Sequence, residues 1–553
     1  VTKELWLEPV DLSSLHAALR SAGNPAVIFR TVQELTADAE SKSIPKILGA
    51  FLAAQPNPLS AGRRSTPMFQ WDRADGLIQA PELKRLESPQ GEICFFDPLS
   101  YTLLRAGPST ALVLDACRPG AALETLARQG ETTLEAVKDL LERVNRILIS
   151  QPGLTPERPV ERVLQKLVVN VSNDCNMRCV YCYAHGGSYQ RPRELMSVET
   201  ARQAADCFLT YYHQIGTVMF FGGEPALNPP AIQAFCDRVL ELRAQKRIAH
   251  VPLWGLVTNG LEINQSLLEL IQTYSLVVTV SLDGPAPIHD SLRVRAGGGA
   301  TYETVSANIA RIQQVTGGRE PSRIETTYTQ QHAQAGIGIK DLSDFAAREF
   351  GIHDVHIMPV SVENGRQEPN YIPEPSSIHA AVNTILDSWL DENPRQLYAV
   401  ANSLHPLVAR INRTRLCMPG RSEMTIMANG DVYPCYRLLD GDMKLGNVNA
   451  GGVFESETFQ RVLEGLDMLA DKSRHACRTC WARGLCQHCI GNGMSENQNR
   501  DPVSERQCQF TRDVAEALLL RLNEFQADEK TWTLFCAQLQ KRIQKNLRSH
   551  LER

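Results

Sequence analysis

The segment Asn173-Asp174-Cys175-Asn176-Met177-Arg178-Cys179-Val180-Tyr181-Cys182-Tyr183 follows directly on the apolar run Leu167-Val168-Val169-Asn170-Val171. A short apolar run of this kind reads as a β-strand, so the cysteines sit in the loop that leaves it. Spaced as CxxxCxxC, the thiolates of Cys175, Cys179 and Cys182 can hold three irons of a four-iron cluster and leave the fourth iron without a protein ligand. An iron left open in this way can bind a substrate or a cofactor. The alternative is a structural zinc site, which requires four ligands and finds only His185 nearby to complete the set.

Working outward, the stretch from about Lys166 to Val360 alternates short apolar runs with helical patterns, the signature of βα units and a parallel sheet. Strands are expected at 166–171, 217–222, 251–257, 276–282, 323–328 and 354–359, and helices at 198–213, 231–246 and 302–315. The fold class is therefore α/β, a partial (β/α)6 barrel. In such sheets chemistry gathers at the C-terminal strand ends, and the cysteine triplet stands at that rim.

The other strand ends carry their own signals. The second ends in Phe221-Gly222-Gly223-Glu224-Pro225, where glycines permit close backbone approach to a ligand and a carboxylate can accept from an ammonium group. The third ends in Thr258-Asn259-Gly260 and the fourth in Ser281-Leu282-Asp283-Gly284-Pro285, followed by His289-Asp290 and Arg293. Taken singly, each is an ordinary turn. His289, beside an aspartate on a loop, is expected to be a local hydrogen-bond partner.

A second cysteine group follows: Cys417, Cys435, Cys477, Cys480, Cys486, Cys489 and Cys508, with Gly430 between the first two. CxxC pairs alone would suit two zinc ribbons, for which His475 or His488 could supply an eighth ligand.

In order and placement these motifs resemble the radical S-adenosylmethionine (SAM) superfamily, in which an aromatic residue, here Tyr181, commonly precedes the third cysteine. The resemblance implies a SAM-binding 4Fe-4S cluster on Cys175, Cys179 and Cys182. It also implies SAM contacts from Tyr181, Gly222, Gly223, Glu224, Pro225, Thr258, Asn259, Ser281, Asp283 and Arg293, with Arg293 neutralising the SAM carboxylate. The second cysteine group resembles the SPASM domain of the same enzymes, which carries two auxiliary 4Fe-4S clusters. Residue for residue, Cys477, Cys480, Cys486 and Cys508 would hold the outer cluster, and Cys417, Cys435 and Cys489 the inner. The spacing Cys486-Gln487-His488-Cys489 is one residue shorter than the family pattern, and 401–416 contains no cysteine, so the inner cluster is expected to have an open iron. Sulfatase maturases typically carry an aspartate immediately after the cysteine matching Cys435, whereas here Tyr436 follows it.

Length and composition agree. At 553 residues the chain is long enough for about three or four domains. With 43% hydrophobic residues, 22% charged residues and a net charge of −5, it is a globular chain with no clustered basic block to neutralise nucleic-acid phosphates. No run approaches the roughly 18 apolar residues of a membrane helix, and the N-terminus lacks an export pattern, so a cytoplasmic location is expected. Without export, the 15 cysteines read as metal ligands, except Cys94, Cys117, Cys207, Cys236 and Cys536, which read as small core residues.

Six segments are expected. Residues 1–85 carry no motif, and Asn57–Gly62 looks like a loop. Residues 86–157 combine a β-like piece near Ile93–Phe96 with a helix opened by a Thr132/Glu135 capping box. They resemble the recognition elements of ribosomal-peptide maturases, with an unrelated structural extension as the alternative. The barrel spans 158–372, a helical linker 373–410, the SPASM domain 411–512 and C-terminal helices 513–553. The last carries an apolar stripe of Trp532, Phe535, Leu539, Ile543 and Leu547 suited to packing on its own protein.

The resemblance thus implies a peptide maturase that binds a precursor's leader through its N-terminal region, takes electrons from a flavodoxin or ferredoxin, and installs a crosslink, foremost a sulfur-to-carbon thioether. Carbon–carbon crosslinking, radical splicing, a small-molecule radical enzyme and a non-enzymatic metal-bearing peptide scaffold are the alternatives.

Overall fold

The computed structural model describes residues 5–10, 69–71, 77–151, 153–156, 162–361, 371–391, 394–473, 475–486, 488–497 and 501–551. The loop expected at Asn57–Gly62 lies outside them.

A four-stranded antiparallel sheet forms from β1 (Leu7–Val10), β2 (Lys84–Glu87), β3 (Ile93–Asp97) and β4 (Thr102–Ala106), in the order β1-β4-β3-β2. Helices α1 (Pro108–Ala116), α2 (Leu123–Gln129) and α3 (Leu134–Ser150) follow. Alternation along β3 decides what each face does. Phe95 joins a local core with Leu104, Val137, Leu141 and Leu148, while Cys94 and Phe96 join the main core of the molecule. On that second face Phe96 meets Trp481 edge-on, the Tyr101 hydroxyl donates to the Ile411 carbonyl at 2.8 Å, and Arg105 donates to Asn523 Oδ1 at 3.1 Å. The small sheet therefore fastens the N-terminal region to the cysteine-rich one. Helix α3 opens one residue later than expected. Thr133 is its cap, accepting from the Ala136 N–H at 3.1 Å, in place of the Thr132/Glu135 box.

The βα alternation then runs β5 (Val163–Ser172), α4 (Val198–Tyr211), β6 (Gln214–Gly222), α5 (Pro229–Ala244), β7 (Leu253–Thr258), α6 (Gln265–Thr273) and β8 (Val277–Ser281). It continues through α7 (Ala286–Leu292), α8 (Tyr302–Thr316), β9 (Arg323–Tyr328), α9 (Ile339–Phe350) and β10 (Asp354–Pro359). All six expected strands are present and pair in parallel. Helix α5 begins earlier than expected because Pro229 and Pro230 suit a first helical turn, where their missing N–H groups cost nothing.

The sheet continues beyond these six strands. After α10 (Pro375–Ser388), β11 (Gln396–Leu397) adds in parallel outside β10 and leads into α11 (Tyr398–Ala409). On the opposite edge β12 (Glu423–Ile426) adds in parallel outside β5, and β13 (Asp431–Tyr433) and β14 (Gly446–Asn447) extend it antiparallel. One ten-stranded sheet, ordered β11-β10-β9-β8-β7-β6-β5-β12-β13-β14, thus carries both cysteine groups. A single sheet fixes their separation.

Helices α12 (Glu457–Ala470), α13 (Glu505–Ala527) and α14 (Glu529–Leu551) complete the chain. Trp532, Phe535 and Leu539 of α14 are buried, with Phe535 stacked on Trp389 at 6.0 Å between ring centres; the side chains of Ile543 and Leu547 lie outside the described set. Among the described residues no helix is long and apolar enough to cross a membrane. Of the scattered cysteines, Cys94 and Cys236 are buried and Cys117, Cys207 and Cys536 half-buried.

Leu141 has no solvent exposure in the N-terminal core. Leu141→Ala is expected to cost about 2–5 kcal/mol through the cavity it leaves, read as a lower midpoint of chemical denaturation.

Candidate active site at the barrel mouth

Strand β5 ends at Ser172, paired with Gly222 at the end of β6 after a register shift that turns the chain into the cysteine loop. The loop is held from several sides. Arg178 and Val180 donate their N–H groups to the carbonyls of Val294 and Leu292, and Asn259 Nδ2 bonds Asn176 Oδ1 at 2.8 Å. Donors also face the sulfurs: the Met177 N–H lies 3.4 Å from Cys175 Sγ, the Gly186 N–H 3.3 Å from Cys182 Sγ, and Asn259 Nδ2 3.6 Å from Cys175 Sγ. The glycine pair has a task within the fold. Gly222 has a φ of +130°, and a Cβ there would strike the Ser172 carbonyl, while one on Gly223 would strike that of Asp174. Their close approach is to the cysteine loop itself, which they allow to lie flat across the strand ends.

Glu224 is buried and binds inward. It accepts from the Ala226 N–H at 2.9 Å, the Thr258 hydroxyl at 2.7 Å and the Asn259 N–H at 2.7 Å. Burial raises its carboxyl to about 7 against these bonds. It braces the ends of β6 and β7 together, and its second oxygen, bonded among the described residues only to the Asn259 N–H, retains accepting capacity.

Arg293 has a partner inside the protein. Its guanidinium pairs with the fully buried Asp283, Nε to Oδ2 at 3.0 Å, and lies over the Tyr181 ring at 5.6 Å. Asp283 further accepts from the Tyr181 hydroxyl and, at 3.1 Å, from the Thr327 N–H. Although burial opposes its ionisation, Arg293 and His289 hold the Asp283 carboxyl below the usual range. The cation is therefore balanced within the protein, and Arg293 ties the loop around Cys179 to the end of β8. His289 is, as expected, a local partner: Nδ1 accepts from the Asp283 N–H at 3.3 Å and Nε2 meets Thr301 Oγ1 at 3.1 Å. Thr258 and Ser281 stand at adjacent strand ends, and Pro225 opens the turn after Glu224.

Ten thiols fall into three groups by their mutual electrostatic influence. Cys175 and Cys179 both lie within the electrostatic reach of Cys182, Cys435 within that of Cys417 and Cys489, Cys486 within that of Cys477 and Cys480, and Cys508 within that of Cys486 and Cys477. Burial pushes the thiols of Cys175, Cys179 and Cys508 up to about 12. Such groups ionise at neutral pH only beside a strong cationic centre, which metal coordination supplies. Among the described residues no three thiol, imidazole or carboxylate groups converge closely enough for a single ion. An all-thiolate donor set spread more widely fits an iron–sulfur cluster. His488 is buried, its Nε2 accepting from the Ser504 N–H at 3.1 Å, and burial lowers it to about 4.

Several further side chains join the two cysteine regions. Tyr183, next to Cys182, meets Tyr436, next to Cys435, with ring centres 6.4 Å apart. Arg437 caps the Tyr183 ring at 4.1 Å, and Phe221 packs on Tyr436 at 5.4 Å. The buried Lys472 donates to the carbonyls of Arg413, Arg483 and Cys486, between the two SPASM-like thiol groups. Direct adjacency to cysteine was the available clue for the tyrosines; nothing marked Lys472.

Comparison with known proteins agrees with this architecture. Residues 169–319 match the Radical SAM superfamily and 417–481 the SPASM iron-sulfur cluster-binding domain. The cysteine-type anaerobic sulfatase-maturating enzyme of Clostridium perfringens is 23% identical over 348 residues, covering 59% of this chain and 89% of that one. GTP 3',8-cyclase of Desulforamulus reducens is 24% identical, covering 51% and 85%. Among solved structures, anSMEcpe with bound AdoMet superposes with a TM-score of 0.54 at 19% identity, covering 67% of this chain and 98% of that one. Its complex with AdoMet and the Kp18Cys peptide gives 0.52 at 20% identity, covering 66% and 99%. SAM and 4Fe-4S clusters are thus the cofactors, and the chain carries a radical SAM domain followed by a SPASM domain.

Proposed function

We propose that this enzyme is a peptide maturase that cleaves SAM reductively, takes a hydrogen atom from a ribosomally made precursor and installs a crosslink, foremost a cysteine sulfur-to-carbon thioether. When bound, SAM and the cluster on Cys175, Cys179 and Cys182 supply the one-electron cleavage that yields the 5′-deoxyadenosyl radical. The protein supplies position. The Asp283–Arg293–Tyr181 lock and the glycine pair fix the cysteine loop, while Glu224, Thr258, Asn259 and Ser281 line the strand ends where the cofactor would lie. Placing reactants in this way converts binding into rate.

One observation carries the peptide reading: a separate sheet-and-helix unit is fastened to the cysteine-rich region. Extended peptides bind sheets by adding a strand. The two edges of this sheet are β2 and the chain's own β1, which pairs with β4 from Leu7↔Ala106 to Val10↔Leu103. A leader would therefore pair with β2, extend β1 or displace it. The complex of a structural neighbour with a peptide supports the substrate class.

The thioether rests on the inner thiol group. Cys417, Cys435 and Cys489 are three, so a four-iron cluster held by them would leave one iron free to take a substrate thiolate. Tyr436 stands where sulfatase maturases carry a carboxylate, which disfavours formylglycine formation. Cys477, Cys480, Cys486 and Cys508 would hold the outer cluster, and a flavodoxin or ferredoxin would supply electrons.

Tandem mass spectrometry of the coexpressed precursor tests the reading. The expected product has lost two hydrogens and one alkylatable thiol. A product whose thiols all remain alkylatable indicates a carbon–carbon link, and excision of residues indicates splicing. Replacing Cys175, Cys179 and Cys182 together by Ala is expected to abolish 5′-deoxyadenosine formation while the auxiliary iron and sulfide remain after anaerobic reconstitution. Zinc in place of iron, with no deoxyadenosine from the unsubstituted chain, would instead indicate a binding scaffold. Asp283→Asn leaves Arg293 buried and unbalanced. It is expected to cost roughly 3–5 kcal/mol of stability, measured by denaturation, and to weaken SAM binding by calorimetry.

A further inference from the structure

The barrel wall carries a row of polar side chains with no part in holding the cysteine loop. Register places Ser281 of β8 opposite Glu325 of β9, and Glu325 opposite His356 of β10. Alternation puts all three on one face. The intervening Ile324, Thr326, Val355 and Ile357 are buried on the other, whereas Arg323, Glu325, Thr327, His356 and Met358 stay partly exposed. This partly exposed face is the lumen. Ser281 ends its strand, so the row lies just below the mouth.

Its surroundings link it to both cysteine regions. The charge of Glu325 is felt by Tyr183, next to Cys182. His356 Nε2 is buried with no hydrogen-bond partner among the described residues, and its ring lies 4.5 Å from that of Tyr398. Leaving such a nitrogen unsatisfied costs free energy that a ligand or a proton would relieve. The charged and titratable groups facing the pair are Arg323 from β9, Asp354 from β10, Lys166 from β5, Tyr398 from α11 and Tyr183 from the cysteine loop. Lys166 is itself paired with Glu423. Burial keeps His356 below the usual imidazole range, so it is neutral and able to accept.

We propose that Glu325 and His356 are the proton acceptors of substrate oxidation, taking the place that a carboxylate after Cys435 would otherwise fill. This rests on the peptide-maturase reading. In the thioether case a carbon–hydrogen bond of the peptide breaks, and its hydrogen atom converts the deoxyadenosyl radical into 5′-deoxyadenosine. The carbon then bonds to the cysteine sulfur. The thiol proton passes to the Glu325–His356 pair, and the remaining electron passes to an auxiliary iron–sulfur cluster. One bond to hydrogen is lost at carbon and one at sulfur, which accounts for the two hydrogens.

The test measures the ratio of crosslinked peptide to 5′-deoxyadenosine in the reconstituted full-length enzyme. In Glu325→Gln and His356→Gln the ratio is expected to fall at least about tenfold, a modest part of what general-base removal costs, with partial recovery in Glu325→Asp. Freeze-quenched samples of the variants should show a longer-lived organic radical. A ratio within about twofold of the parent in both variants overturns the proposal. A second readout is independent of turnover: modification of His356 by diethyl pyrocarbonate, followed against pH by peptide mapping of the same holoenzyme. Because Glu325 favours the imidazolium, Glu325→Gln should lower the midpoint; an unchanged midpoint overturns the pairing. A parent enzyme that yields no modified peptide sinks the maturase reading, while the modification experiment still decides the pair.

Discussion

A buried ion pair underlies the geometry of the mouth. Asp283 and Arg293 lie out of water beneath the cysteine loop, with Tyr181 bonded to the carboxylate and stacked under the guanidinium. Such a pair adds little net stability, yet removing one partner is expensive. Its effect here is positional, because it joins the end of β8, the turn after α7, the backbone of β9 at Thr327 and the cysteine loop in one rigid knot. Cys179 and Cys182 flank Tyr181 on either side, so they can move only if that knot opens.

The second constraint is the shared sheet. Because β12 of the cysteine-rich region pairs with β5, which launches the first cysteine loop, the two metal-binding regions are neighbours in one hydrogen-bonded array. Tyr183 and Tyr436 fill the space between them, each adjacent in sequence to a cysteine. A substrate held between the regions would face both at once. In the proposed reaction, hydrogen abstraction on one side and electron uptake on the other would then need no large movement of the chain.

Much of this could be read from the residues. Six strands and their helices announced themselves through apolar runs and helical periodicity, and the order of motifs at the strand ends placed the site. What stayed hidden was tertiary. The two-residue β11 and four-residue β12 are too short to show a period. Gly222 and Gly223 signal close approach without saying to what, and Arg293 reads as a free cation until Asp283 is folded against it. Glu325 and His356 sit in strands whose polar residues look like solvent-facing alternation, whereas in a barrel that face is the lumen. The Thr133 cap shows how adjacent threonines leave a helix start ambiguous by one position.

Everything rests on an iron at the mouth that the protein leaves for SAM. Electron paramagnetic resonance of the anaerobically reduced enzyme, recorded with and without added SAM, tests this most directly. The account predicts that one cluster signal changes its g-values on SAM addition and that this signal disappears when Cys175, Cys179 and Cys182 are replaced. A spectrum indifferent to SAM, from protein with its full complement of iron and sulfide, would contradict it.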